Sequence, residues 1–192
     1  MLEVSVNDCS QLHANLPENR EFVFSKSFFV PLFLRKKSAI STLHHLYKQV
    51  HIGVDSSGTA IKLEQTAYNN MTFRIPDEKG FQPHQVSIEV GDSAPPFESA
   101  LQSDIPLQAV IDSCSANPII CMSTDPGRFL CNYVYYRSLS FLQRRLSTPR
   151  RKTAVFIHIP PFHVIPKSVQ LPAIKEIISA VILQATGVKI VT

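Results

Sequence analysis

The sequence predicts a single-domain α/β fold, a three-layer sandwich in which a mainly parallel or mixed sheet is flanked by helices. Short apolar segments alternate with amphipathic ones through the second half of the chain, an order typical of strands connected by helices. The 192 residues suffice for one sizeable core, and the 6 glycines and 14 prolines are too few to indicate general disorder. In such sheets, ligands usually bind at the carboxyl ends of the strands.

The first half of the chain predicts few regular elements. Residues 2–6 and 28–34 are possible strands, and the second stretch is far shorter than the roughly 20 apolar residues that cross a bilayer. Apolar residues at helical spacing predict a helix over 38–48. A short strand over 50–54 then leads into a Gly/Ser loop, whereas the pattern over 61–68 is mixed.

The stretch 76–96 is rich in Pro, Gly and Asp, which predicts a long surface loop with a short strand at 86–90. Regular elements follow it. Helices are predicted over 105–114, 132–142 and 168–185, and strands over 118–122 and 153–159.

Composition excludes several classes of protein. The four cysteines lie far apart without a CxxC pair, and no basic start followed by an apolar run is present, so we expect a reduced, cytoplasmic protein. The histidines lack ligand-like companions, so neither a metal nor a cofactor is predicted. The net charge of +4 is modest, and its basic residues flank 147–149, which indicates a solvated loop rather than a nucleic-acid or membrane surface.

Two residues stand where catalytic chemistry is plausible. Cys131 follows an apolar strand and a Gly turn at the start of a predicted helix, where free N–H groups and the helix dipole stabilise a thiolate. His158 lies at the end of the apolar segment 154–157, where an imidazole can act as a base. Taken alone, a cysteine after a strand is more often a buried small hydrophobe, and such a histidine is often hydrogen-bonded to backbone.

Four motifs in order carry a family resemblance. The stretch S-T-D-P-G-R-F-L-C-N, residues 123–132, resembles the active-site cysteine signature of the pyroglutamyl-peptidase I family. F-I-H-I-P-P (156–161) resembles its histidine motif, and residues 53–69 resemble its glutamate signature. F-R-I-P-D-E-K-G-F-Q-P (73–83) is similar to a further segment of bacterial members, and the whole resemblance covers 38–185.

The resemblance implies a cysteine exopeptidase that removes N-terminal pyroglutamyl residues from peptides. Cys131 would be the nucleophile, His158 the base and Glu64 the residue that orients the imidazole. The backbone N–H of Cys131 and the side chain of Arg74 would stabilise the oxyanion.

The same resemblance extends to the substrate pocket. Phe129 and Ile75 would form an apolar wall for the lactam ring, and Asp77 would support the site. Without the family, Glu64 would be a surface carboxylate, and Arg74 and Asp77 would form a plain turn salt bridge.

The departures from the family divide the chain into a divergent N-terminal segment, 1–37, and a pyroglutamyl-peptidase-like domain, 38–192. Family members begin with a strand and an aromatic G-F-x-P-F loop that closes over the lactam ring, and neither is recognisable here. Lys62 stands where Ser or Thr is usual, and Pro126 replaces the usual Ala before Gly127, which removes a backbone donor.

Two hypotheses follow. In the first, the chain is a working peptidase in which the divergent segment rebuilds the pocket. In the second, it is an inactive or truncated homologue that acts as a non-enzymatic peptide-binding protein. A third interpretation, Cys131 as a redox sensor, lacks a resolving cysteine nearby in the sequence.

Overall fold

The computed structural model describes residues 29–30, 49–114, 118–145 and 153–186. These ranges contain three helices, α1 (Leu107–Ser113), α2 (Leu130–Arg145) and α3 (Lys167–Thr186). They also contain seven strands: β1 (Phe29–Val30), β2 (Gln49–Val54), β3 (Ile61–Glu64), β4 (Thr66–Tyr68), β5 (Ala100–Gln102), β6 (Ile120–Ser123) and β7 (Ala154–Ile159).

Five strands form the main sheet in the order β1-β2-β7-β3-β6. Strand β2 is parallel to β7 and β3 is parallel to β6, whereas β1 with β2 and β3 with β7 are antiparallel. Strands β4 and β5 form a second, two-stranded antiparallel sheet. The mixed α/β sheet predicted from the sequence is therefore confirmed.

The central strand β7 separates two cores. Val155 and Ile157 face a core that they share with α1 and α3, and Ala154 and Phe156 face a second core built on α2. Because successive side chains of a strand point to opposite faces, this strand is buried on both sides and reads as one apolar run. The result is three layers, with α1 and α3 on one face of the sheet and α2 on the other.

Most predicted elements from residue 50 onward are confirmed with small shifts of their ends. Strands predicted over 50–54, 118–122 and 153–159 correspond to β2, β6 and β7, and the three predicted helices correspond to α1, α2 and α3. The expected helix over 38–48 and strand over 2–6 lie outside the described residues. Of the strand expected over 28–34, only β1 is described.

The mixed signals over 61–68 correspond to a change of sheet. Residues 61–64 form β3 in the main sheet and 66–68 form β4 in the small sheet. Gln65 joins the two, because its N–H donates to the Ser123 carbonyl of β6 and its side-chain amide donates to the Ser103 carbonyl beyond β5. Two short strands with different partners explain why no single pattern is visible.

The strand predicted over 86–90 is wrong. Only Val86 pairs in a strand-like manner, as an isolated bridge with Met71. The next residues are fixed by side chains instead: Ile88 is buried, and the N–H of Glu89 donates to the Asn69 side chain. The Glu89 carboxylate is buried against α2, where it accepts a hydrogen bond from Ser140 and pairs with Arg144 at 2.6 Å.

Among the described helices, none combines the length and apolar character needed to cross a membrane.

One buried side chain fixes the start of α2. Asn132 is fully buried; its oxygen accepts the N–H of Tyr68 at 2.8 Å, and its amide donates to the carbonyls of Tyr68 and Asn70 at 2.9 Å. These three hydrogen bonds tie the first turn of the helix to the segment that follows β4.

Replacing Asn132 with Leu keeps the branching of the side chain but leaves the Tyr68 N–H and the Asn70 carbonyl without this partner, whereas the Tyr68 carbonyl still accepts the Asn70 N–H. We expect Asn132→Leu to lower the free energy of unfolding by about 2 to 6 kcal/mol, because two buried groups are left unsatisfied at about 1 to 3 kcal/mol each. Urea denaturation measures this, with the exposed Gln108→Leu as control. A loss no larger than that of the control would contradict the assignment.

Candidate active site

His158 and Glu64 meet on the face of the sheet that α2 covers. His158 is the penultimate residue of β7 and Glu64 is the last residue of β3. In the antiparallel register Glu64 is opposite Phe156, so its side chain lies diagonally beside that of His158 on the same face. His158 donates its Nδ1–H to Glu64 Oε1 over 2.8 Å, and Glu64 is fully buried.

Cys131 completes the group from the layer above. It is the second residue of α2, and its side chain is close enough to the His158 imidazole to raise the pKa of that ring. The other partner of His158 in the sheet is Gly53 of β2. A Cβ on Gly53 would lie 3.2 Å from Cys131 Sγ and 2.8 Å from Phe156 Cζ, so the absence of a side chain makes room for the thiol.

The environment of His158 favours its charged form. Burial lowers the pKa of His158, but the hydrogen bonds to Cys131 and Glu64 outweigh this and raise it from 6.5 to about 9. The imidazole also packs against the Phe156 ring, with centroids 4.7 Å apart. At neutral pH the site therefore holds an imidazolium between a carboxylate and a sulfur atom.

The turn before α2 positions Cys131. Gly127 has φ +74°, a left-handed conformation that other residues rarely adopt, and its N–H donates to the Asp125 carboxylate. The Arg128 guanidinium pairs with Asp125 at 2.8 Å and with Glu98 at 3.3 Å, and lies 3.9 Å from the centre of the Tyr68 ring. Pro126 has no N–H, but this turn does not need one there, because its hydrogen bond is donated by the N–H of Gly127.

The other predicted residues lie on the loop side of the site. Phe129, two residues before Cys131, packs edge-on against the buried Phe73 with ring centres 4.7 Å apart. Arg74 and Ile75 follow Phe73 and are exposed. The roles of Arg74 and Ile75 stay predictions.

Asp77 is buried and organises the turn that follows it. Its carboxylate accepts the N–H groups of Lys79 and Phe81 at 2.9 Å.

Sequence reasoning missed three contributors to the site. Gly53 opens the glutamate signature and Asn132 closes the cysteine signature, so both stood inside motifs without an assigned role. The third is an ion pair between Lys62 Nζ and Asp55 Oδ2, 2.8 Å apart, which depends on the strand register and had no sequence signal beyond the unusual Lys62.

This arrangement suits nucleophilic catalysis by a thiol. A sulfur beside an imidazole whose Nδ1 is held by a carboxylate is the arrangement of an activated nucleophile. Across the described ranges, no cluster of three or more His, Cys, Asp or Glu side chains is arranged to hold a metal ion.

Comparison with known proteins points to one family. The family model described as pyroglutamyl peptidase matches residues 21–190. The chain is 30% identical to a human pyroglutamyl-peptidase 1-like protein, over 66% of this chain and 58% of that protein. It is 34% identical to a pyrrolidone-carboxylate peptidase of Gloeobacter violaceus, over 61% and 53%. The chain thus spans less than two thirds of the length of these relatives.

Solved structures show the same likeness. A mutant pyrrolidone carboxyl peptidase from Pyrococcus furiosus superposes with a TM-score of 0.60 at 26% identity, covering 72% of this chain and 70% of that one. The pyrrolidone carboxyl peptidase of Thermococcus litoralis gives 0.59 at 26% identity, covering 74% and 69%. The family match begins at residue 21, inside the segment 1–37, so the proposed division of the chain at residue 37 stays a prediction.

The space beside Cys131 depends on Gly53. We expect Gly53→Ala to destabilise the fold by about 1 to 3 kcal/mol, as overpacking does. It should also slow the alkylation of Cys131 by iodoacetamide, because the added methyl group displaces the sulfur from the imidazole. Urea denaturation and peptide mapping by mass spectrometry measure the two effects, with the exposed Ser56→Ala as control. Unchanged Cys131 reactivity would contradict this account.

The charge of Glu64 should control the titration of His158. Because the pKa of His158 is raised to about 9, its charge persists through neutral pH and is lost as the pH rises through that value. Glu64→Gln removes the negative charge, so the midpoint should move to lower pH by about 1 unit. NMR of the His158 ring measures the midpoint, with the exposed Glu176→Gln as control. A midpoint that stays near the wild-type value would refute the role of the carboxylate.

Proposed function

The chain belongs to the pyroglutamyl peptidase family, and on this basis we propose that it is a cysteine exopeptidase that hydrolyses N-terminal pyroglutamyl residues from peptides. The proposed catalytic residues are Cys131, His158 and Glu64. The observation that carries the proposal is the buried hydrogen bond between Glu64 and His158, with the Cys131 sulfur lying beside Gly53, the strand partner of His158.

The proposed reaction starts from the ion pair of thiolate and imidazolium. Cys131 Sγ attacks the carbonyl carbon that links the pyroglutamyl residue to the rest of the peptide, and a C–S bond forms. The C–N bond breaks as the imidazolium of His158 gives its proton to the leaving amine. The result is a thioester on Cys131 and a neutral His158.

Hydrolysis of the thioester restores the enzyme. Neutral His158 takes a proton from water, whose oxygen attacks the thioester carbonyl. The C–S bond then breaks, free pyroglutamate leaves, and the thiolate is again paired with the imidazolium. Glu64 keeps Nδ1 protonated and the ring oriented through both steps.

Residues around the triad have proposed supporting roles. The oxyanion would be stabilised by the backbone N–H of Cys131, which has no helical carbonyl partner in the first turn, and by Arg74. Phe129 and Ile75 would contact the lactam ring, and Asp77 would support the site by fixing the turn that follows Ile75. The substrates would be peptides with N-terminal pyroglutamate, without a cofactor.

The proposed chemistry requires a reduced thiol. Cys114, Cys121 and Cys131 are free cysteines, as the reaction needs. A cytoplasmic location is also part of this proposal.

A fluorogenic pyroglutamyl amide tests the proposal. We expect the folded protein to release the fluorophore and Cys131→Ala to lower kcat/KM by at least about 1,000-fold, because the nucleophile is lost. Cys121→Ala is the matched control, since Cys121 is a free, exposed cysteine on β6.

Circular dichroism and urea denaturation must show that each variant is folded. No release by a folded wild-type protein, or equal release by Cys131→Ala, would overturn the proposal. In the first case, measuring the binding of a pyroglutamyl peptide to the same sample tests the alternative of a non-enzymatic binding protein.

A further inference from the structure

A polar pair lies beside the candidate triad on the same face of the sheet. Lys62 Nζ and Asp55 Oδ2 are 2.8 Å apart, and both side chains remain partly accessible, 35% and 19% exposed. The family resemblance places Ser or Thr at the position of Lys62, so the ammonium is a feature of this chain. The proposed triad makes no use of it.

The strand register fixes where this pair lies. Lys62 is the direct partner of His158 in the antiparallel pairing of β3 with β7, and directly paired side chains share one face. Asp55 comes two residues after Gly53, and its N–H continues the ladder by donating to the Ile159 carbonyl. Asp55 therefore lies about 7 Å along β2 from Gly53, beside which Cys131 Sγ lies.

The ammonium is held in place from the Asp55 side. Asp55 Oδ1 accepts the N–H and the hydroxyl of Ser57, and Oδ2 accepts Lys62. Although burial raises the pKa of Asp55, hydrogen bonds from Lys62 and Ser57 bring it down to about 2, so the carboxylate stays charged. An ammonium has three N–H donors, and the bond to Asp55 uses one of them.

The mechanism of peptide cleavage indicates which part of the substrate lies next to Lys62. His158 has to reach the leaving nitrogen in order to protonate it, so the leaving part of the substrate lies over His158 and next to its strand partner Lys62. We propose that Lys62 binds a carboxylate on the leaving part of the substrate and makes the enzyme prefer acidic substrates. This inference rests on the proposed function and adds the substrate class.

Two sources supply such a carboxylate, and matched substrates distinguish them. Pyroglutamyl-glutamate amide and pyroglutamyl-glutamine amide differ only in the side-chain carboxylate of the second residue. Pyroglutamyl-glutamine with a free and with an amidated C-terminus differ only in the terminal carboxylate. Each comparison yields a ratio of kcat/KM, acid over amide, and the ratio is independent of how much of a variant is active.

We expect one of the two ratios to be about three- to tenfold in the wild type, a modest value because Asp55 offsets part of the ammonium charge. Added salt should lower it, since the site is partly exposed. Lys62→Met should bring the ratio to about one, Lys62→Arg should retain most of it, and Lys175→Met, an exposed lysine on α3, should leave it unchanged.

The outcomes separate this inference from the proposed function. Cleavage of all substrates with acid-over-amide ratios near one would overturn the role of Lys62, and so would a raised ratio that persists in Lys62→Met. Neither result would contradict the proposed peptidase activity. Failure of the folded wild type to cleave any pyroglutamyl amide would overturn both.

Discussion

The antiparallel pairing of β3 with β7 is the constraint on which the candidate site depends. It places the last residue of β3 diagonally beside the penultimate residue of β7, so that Glu64 and His158 share a face. A slip of one residue would turn Glu64 into the apolar core that Leu63 and Ile157 occupy. A fully buried carboxyl group needs a hydrogen-bonding partner, and the imidazole supplies it. Register, burial and hydrogen bonding therefore all require the same arrangement.

The third member of the site, Cys131, comes from the helical layer, and two neighbouring residues fix its position. Asn132 ties the first turn of α2 to the backbone that follows β4, and the missing side chain at Gly53 lets the sulfur approach β2. The helix itself is positioned by packing of Tyr135 and Leu139 against the sheet. The nucleophile is thus located by contacts that are formed along the whole length of α2, which makes its geometry a property of the fold rather than of one loop.

Prediction from the sequence succeeded where one periodic signal dominates. The two-sided burial of β7 and the apolar face of α2 are visible in the residues themselves, and so are the positions of Cys131 and His158. The antiparallel direction of β3 is not, because a strand of four residues carries no mark of its direction. The strand expected over 86–90 failed because Glu89 is fixed by Asn69, Ser140 and Arg144, contacts distant in sequence. Glu64 required the family motif, and the Lys62–Asp55 pair required the register.

The anchoring of the long loop on α2 has a consequence for limited proteolysis. Val90 is 79% exposed and Gly91 is exposed, whereas Glu89 on one side is bound to α2 and Pro95 and Pro96 on the other accept hydrogen bonds from Asn69. A protease that cuts at this apex would produce two fragments that migrate separately in a denaturing gel but elute together from a gel-filtration column. A nicked preparation of this protein would therefore retain its assembled architecture.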